Sequence, residues 1–518
     1  MSSPQTRAER TNYTETSTYA DVTSFVDAIA TRASVHVETL GTTSQGRALP
    51  FLVVSRPRVR TPEEARALGR PVVYVQANIH AGEVEGKEAV LALVRDLTAT
   101  GAPNVLDRIV LIVVPIYNAD GNEAFKPQTI NRTEQNGPAS VGQRPNGMGL
   151  DLNRDYMKAE APETRASLAA FARWNPDVFV DLHTSDGSYH GYALTYSPSL
   201  DPAASFGGRY AAEQMLPAIR ERMRSSHGFE TFDYGNFSPA FDDDLLHYPK
   251  PGWYTYDWRP RFGTNYFGVR GRIAILSEAF SHDEFATRVA ATRAFVEEIL
   301  GYVATHADAI RELSRRADAT LASWATQADP PKIALRAQLD SHPPSLPVLV
   351  ERLEAGPAGV HLEPGLPTGI KRTRQFDAQL MPVVRAYEPT LSRMLPRAYL
   401  LDDVPAAVRE NLRLHGISIE TTTRAHRATV ESFSITARTV ASAAFQGHHV
   451  CELTGTWQAA HVVLSAGRTI VRTGQPLGLV AMQLLEPESG DGLVTWNFFD
   501  TQSDVGQIFA VRRLTTLD

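Results

Sequence analysis

In the stretch "YVQANIHAGEVEGKEAVLALVRDL", residues 74–97, an apolar strand gives way to a helix, and His80 and Glu83 stand at the join with only Ala81 and Gly82 between them. An imidazole and a carboxylate three residues apart, on a turn kept narrow by small residues, can face one cation. Two further apolar runs end the same way: "DVFVDL" runs into His183 and "GRIAILS" into Glu278. Two imidazoles and one carboxylate are a common catalytic zinc set that leaves a fourth position open for water. A spare carboxylate then serves as base for that water. The spacing points to His80, Glu83 and His183 as ligands of one Zn²⁺ and to Glu278 as the base. Each residue also has a plain structural reading: a hydrogen-bonded strand-end histidine, a chance His-x-x-Glu, a carboxylate capping "AFSHDEF". The joint reading gains from position, because each run of chemistry follows a buried strand. Cys451 is the lone cysteine. A disulfide framework and a cysteine zinc knuckle are thereby excluded, so a metal must be held by His, Asp or Glu.

These groups need a scaffold that brings strand ends together. "PVVYVQANI" and "IVLIVVPIY" are apolar throughout and rich in Val and Ile, as strands buried on both faces are. "EGKEAVLALVRDLTA" between them reads as a helix, with Glu85 and Glu88 as first-turn acids that complement its dipole. Residues 21–33 form a short amphipathic helix, residues 48–55 a strand, and residues 283–325 one long helix. Alternating strands and helices imply an α/β domain with a mixed, mainly parallel sheet flanked by helices. In such sheets functional groups gather at the carboxyl ends of the strands.

The chain has 518 residues, 43% hydrophobic and 21% charged, with a formal net charge of -7. A generic polyanion binder is excluded, since no basic stripe exists, and nucleic acid is not an expected partner. The polar start, "MSSPQTRAERTNYTETSTYADV", lacks the apolar core of a secretory signal, and no apolar run approaches the ~18 residues of a membrane span. A cytoplasmic protein without a membrane partner is the expectation. A proline-punctuated stretch, "TQADPPKIALRAQLDSHPPSLP", marks a boundary. Beyond it, "SFSITARTV", "HHVCELTG", "AAHVVLSAGRTIVRT" and "LVTWNFFD" read as short strands, for which a β-sandwich is the default. The expected organisation is a flexible tail over residues 1–20, a catalytic domain over 21–328 and a smaller β-rich accessory domain over 329–518.

Taken together, the motifs over about residues 20–310 resemble the zinc metallocarboxypeptidases of the carboxypeptidase A/B-like family. "GTTSQGRAL" looks like the segment before the first buried strand, "NIHAGE" like the first metal motif, and "NADG" like the family's Asn-Pro-Asp-Gly turn with Ala119 replacing proline. "GLDLNRDY" is similar to the segment whose Asn-Arg pair grips the substrate's terminal carboxylate, here Asn153 and Arg154; "DLHTS" supplies the third ligand and "ILSEAF" the base. The resemblance implies that family's fold and hydrolysis of the C-terminal bond of peptides. Arg154 suits the carboxylate, since its planar fork of donors matches one.

Two positions depart from the family pattern. Gln135 stands where an oxyanion-stabilising arginine is usual, with Arg132 and Arg144 nearby, of which Arg132 is the expected donor. The tyrosine that covers the bound terminus is one of Tyr254, Tyr256 and Tyr266; counting back from Glu278 selects Tyr256. Arg259 and Arg261 either contact substrate or brace their loop, and Asp186, His190, His247 and His282 read as structural. A zinc amidase or deacylase acting on a small N-acyl or modified amino acid with a free carboxylate is the neighbouring alternative, and a silent binding protein of the same fold a more distant one.

Overall fold

The apolar runs form the middle of one sheet. The computed structural model describes residues 3–99, 102–204, 206–237, 246, 248–324, 326–363 and 366–518. Eight strands make the central sheet: β1 (Val35–Thr42), β2 (Ala48–Val54), β3 (Val72–Ala77), β4 (Val110–Val114), β5 (Val178–Thr184), β6 (Leu194–Pro198), β7 (Thr231–Asp233) and β8 (Ile273–Ala279). Their order is β1-β2-β4-β3-β5-β8-β6-β7. Strands β4, β3, β5 and β8 are mutually parallel, whereas β1 and β2 join antiparallel at one side and β6 pairs antiparallel with β8. The sheet is thus mixed and mainly parallel, as expected.

Alternation along the strands builds two cores. Val73, Val75, Leu111 and Val180 point to the face covered by helices Glu85–Ala99 and Phe285–Thr305. Val72, Tyr74, Ile112 and Phe179 point to the other face, where helices Pro162–Trp174 and Gly263–Val269 contribute Phe171, Tyr266 and Phe267. The long helix expected over 283–325 is broken at His306 into Phe285–Thr305 and Ala307–Trp324.

The C-terminal region is β-rich but is not a separate sandwich. It holds a six-stranded sheet that includes the long pair His426–Val440 and Cys451–Leu464, and a hairpin of Ser345–Ala355 with Ile370–Val384. Helices Ala406–Leu414 and Gly478–Leu485 accompany them. Val408, Leu412, Phe433, Leu479 and Trp496 continue the same core as Tyr74 and Phe267. Backbone pairing also crosses the expected boundary, Trp253–Tyr254 running parallel to Val383–Val384. "LVTWNFFD" forms turns rather than a strand; Trp496 is fully buried against Arg261, and its Nε1 donates to Asp491 Oδ1 at 3.1 Å, so side-chain packing overrides the β preference of the run.

Residues 3–20 likewise depart from a flexible tail. Glu88 accepts from Thr16 Oγ1 (2.9 Å), Ser17 N (2.6 Å) and Ser17 Oγ (2.9 Å), and Lys87 Nζ donates to Ser17 O at 2.5 Å. The two side chains spend their buried charge on this segment. Among the described residues, no helix is long and apolar enough to cross a membrane.

Candidate active site

The turn that carries His80 is made by an asparagine. Asn78 leaves β3 with φ 64°, a left-handed conformation that Asn tolerates better than most residues. Its side-chain amide donates to Ala81 O and Glu83 O, both at 3.3 Å, closing the loop. Gly82 is required by close approach: a Cβ there would lie 2.7 Å from Arg132 Cγ and 2.9 Å from Gly142 O. The "NADG" turn binds a second loop to this one. Asn118 donates from one amide to Ile79 O (3.2 Å) and Arg144 O (3.1 Å), while the buried Asp120 takes bonds from Thr43, Ser44, Gln45 and Arg47 of "GTTSQGR".

His80, Glu83 and His183 converge, with one donor atom from each lying within 4.8 Å of the others. His80 Nδ1 is 3.0 Å from Glu83 Oε1, His183 Nδ1 is 3.0 Å from Glu83 Oε2, and the two Nδ1 atoms are 3.2 Å apart. The far side of each ring faces a carboxylate: His80 Nε2 donates to Asp151 Oδ1 at 3.0 Å, and His183 Nε2 lies 3.1 Å from Asp181 Oδ2. A carboxylate holding the proton on Nε2 leaves the Nδ1 lone pair directed inward, which is the arrangement a metal-bound histidine takes. Burial works against the Glu83 carboxylate, but His80, His183 and Arg132 more than offset it and hold it well below the usual range. The donor set and the outer carboxylates fit a divalent zinc ion.

Glu278 faces His183 in register across the β5–β8 pair. Burial pushes its carboxyl up to about 8, with His183 opposing and Glu83 and Asp186 reinforcing. Both residues line a cavity of about 460 Å³ together with Arg144, Asn153, Arg154, Asp186, Tyr234, Tyr256 and Phe262. Asn153 Oδ1 accepts from Gly263 N at 2.8 Å, and Arg154 lies 3.9 Å over the Phe262 ring. Of the three candidate tyrosines, Tyr256 lines the cavity, its hydroxyl donating to Asn265 Oδ1 at 3.3 Å; Tyr266 is fully buried against His415.

The structure places Arg132 differently from the expected oxyanion donor. Its guanidinium is buried behind Glu83, 3.4 Å from Oε1, donating to Thr184 O (3.2 Å), Ser185 O (3.0 Å) and Gln135 Oε1 (3.3 Å). It does not line the cavity. Arg144 does, with Nε and Nη2 each 2.9 Å from Asp151 Oδ2 and Nη1 3.6 Å from Glu83 Oε1. Arg259, Arg261, His190 and His282 have structural partners. Arg259 pairs with Asp257 at 2.7 Å and Arg261 with Asp491, so both brace their loop. His190 and His282 are pushed by burial to about 3 and are held by backbone bonds to Tyr192 N and Gly187 O. Glu85 is buried against Thr184 and Arg288 and thus serves more than the helix dipole. His247 lies outside the described residues.

Asp151 and Asp181 escaped the sequence reading although a signal existed for each. Asp181 precedes His183 by two and so shares its face of β5, and Asp151 opens the very "DLNR" segment read for its last two residues.

A family model described as zinc carboxypeptidase matches residues 22–252. Among curated proteins, the chain is 27% identical over 180 residues to probable carboxypeptidase 2 of Trichophyton verrucosum (strain HKI 0517), covering 34% of this chain and 29% of that one. It therefore spans less than a third of that relative. Carboxypeptidase 2 of Trichophyton rubrum is 21% identical over 492 residues, covering 91% of this chain and 81% of its own length. A solved metallo-carboxypeptidase from Burkholderia cenocepacia matches at 21% identity with a TM-score of 0.41, covering 55% of this chain and 69% of that one.

Proposed function

For a chain whose residues 22–252 belong to the zinc carboxypeptidase family, we propose hydrolysis of the C-terminal peptide bond of peptides. The observation that carries this reading is the meeting, in one cavity, of the His80–Glu83–His183 trio, the buried Glu278 and Arg154. Zinc held by the trio supplies Lewis acidity, polarising a carbonyl oxygen and making water a nucleophile near neutral pH. The chain supplies the rest. Asn153 and Arg154 hold the substrate's terminal carboxylate, and Tyr256 closes over it. Glu278 takes the proton of the attacking water and returns it to the leaving amine. Arg144, not Arg132, donates to the developing oxyanion from the cavity wall. Asp151 and Asp181 fix the two imidazoles.

The test compares short peptides ending in a free carboxylate with their amidated forms, before and after exhaustive chelation and zinc restoration. Release of a C-terminal residue from the free-carboxylate peptides alone, abolished by chelation and restored by zinc, is the expected result. Equal rates on amidated peptides would remove the Asn153/Arg154 role, and activity surviving chelation would remove the metal.

A further inference from the structure

Four carboxylates line the cavity: Glu83, Asp186, Asp257 and Glu278. Three have partners or work. Glu83 is engaged by His80, His183 and Arg132. Asp257 is paired with Arg259 at 2.7 Å and accepts from Arg259 N at 3.1 Å. Glu278 is the base. Asp186 makes no hydrogen bond and no ion pair with any described residue, yet it stands on the cavity wall beside Tyr234 and Asn236. Arg132, which feels its charge, is committed to Glu83 and to the carbonyls of Thr184 and Ser185.

Position decides what Asp186 meets. It follows His183 on the loop leaving β5, and its charge bears on Arg132, Glu278 and Tyr234. Arg154 lies elsewhere, under the influence of Asp151, Arg144, Asp257 and Arg261. A substrate whose carboxylate sits on Arg154 and whose scissile carbonyl lies between Arg144 and Glu278 therefore extends its acyl side toward Asp186. An unpartnered carboxylate on the wall of a partly enclosed cavity favours a cation there more than one in open water does. Tyr234 lines the same cavity, and an aromatic ring is a partner that cations accept.

We propose that Asp186 reads a positive charge on the acyl side of the scissile bond, an ammonium or guanidinium just upstream of the C-terminal residue. The proposal rests on the carboxypeptidase reading for its orientation. Two sources share this chemistry: a Lys or Arg side chain, and the α-ammonium of a very short peptide.

The experiment uses the zinc-loaded full chain and four dipeptides with one C-terminal residue, chosen by a first screen: acetyl-Ala, acetyl-Lys, acetyl-Glu and free-amine Ala in the upstream position. kcat/KM is measured for the parent chain, Asp186→Asn and Asp186→Lys, and Kd by calorimetry on a Glu278→Gln background. At least one cationic peptide should exceed acetyl-Ala-Xaa by about tenfold. That ratio should fall to near one in Asp186→Asn and invert in favour of acetyl-Glu in Asp186→Lys, an inversion that a merely structural aspartate does not produce. Gain on the Lys peptide or on the free amine identifies the source. Vigorous hydrolysis with flat upstream preference, or a preference that survives Asp186→Asn, overturns the role of Asp186 alone. Cation-selective binding without turnover by the parent chain upholds Asp186 and overturns the hydrolytic reading, and failure of all four to bind overturns both.

Discussion

The two edges of the central sheet carry cavities of opposite character. At the amino edge, where β3, β5 and β8 begin, a cavity of about 830 Å³ is lined by Asp177, Arg272 and several further arginines. It is the larger of the two and chemically quiet. Arg272 grips both oxygens of Asp318 (2.8 and 2.9 Å), Arg311 donates to Gly69 O at 2.6 Å, Arg315 pairs with Glu312, and Asp177 takes Val72 N at 2.9 Å. At the carboxyl edge a cavity of about 460 Å³ gathers the converging His80, Glu83 and His183 beside a carboxyl with a raised pKa and an Asp186 that has no hydrogen bond or ion pair among the described residues. Under the proposed function the smaller cavity is the working one, marked by charges left for something else to satisfy.

Substitutions test the contrast, beginning with the strongest. Glu278→Gln should retain zinc by metal analysis while losing ~10²–10⁴ in kcat; undiminished turnover would strip the carboxyl edge of its base. Arg144→Ala should cost ~10²–10³ in kcat, whereas Arg132→Ala should act more on thermal stability by leaving Glu83 unbraced. The reverse order would return the oxyanion to Arg132. A smaller effect concerns the segment after β6, where Asp201 is buried with one oxygen lacking a partner among the described residues and burial pushes its carboxyl up to about 8. The folded state then keeps a proton that the unfolded chain has released, so stability falls as pH rises from the ordinary carboxylate value near 4 toward 8. Denaturant melts across that window should show a flatter pH slope in Asp201→Asn; an unchanged slope would mean that the carboxylate is satisfied. Least of all, Arg315→Ala at the amino-edge cavity should leave kcat/KM within about twofold, and a tenfold loss would give that cavity a part in the chemistry.

Much of the carboxyl edge was legible because each strand announces itself twice, by an apolar run and by the polar group that ends it. His80, Glu83, His183 and Glu278 all follow such runs, and the structure brings them together. Between Arg132 and Arg144 the sequence offered little to choose. Two arginines in one irregular loop have equal chemistry on paper, and only packing turns one behind Glu83 and the other into the cavity. The C-terminal region was read least well. "GLVAMQLL" is apolar on every side, so it lacks the stripe that betrays a helix, and it is fully buried as Gly478–Leu485. "LVTWNFFD" carries strand-forming residues but yields to the anchoring of Trp496. The polar opening residues looked unattached because their partners, Lys87 and Glu88, lie far along the chain.

The side-by-side placement of His183 and Glu278 on hydrogen-bonded strands has a mechanical consequence. His183 and Glu278 are tied by one backbone ladder, so breathing of the molecule changes the gap between these two only where that ladder opens. Under the proposed function, accommodation of differently shaped peptides falls on the rim, where Arg154 ends the short 3-10 helix Leu152–Arg154 and Tyr256 and Phe262 sit outside regular elements, and variants that alter selectivity should accumulate there while β5 and β8 stay fixed.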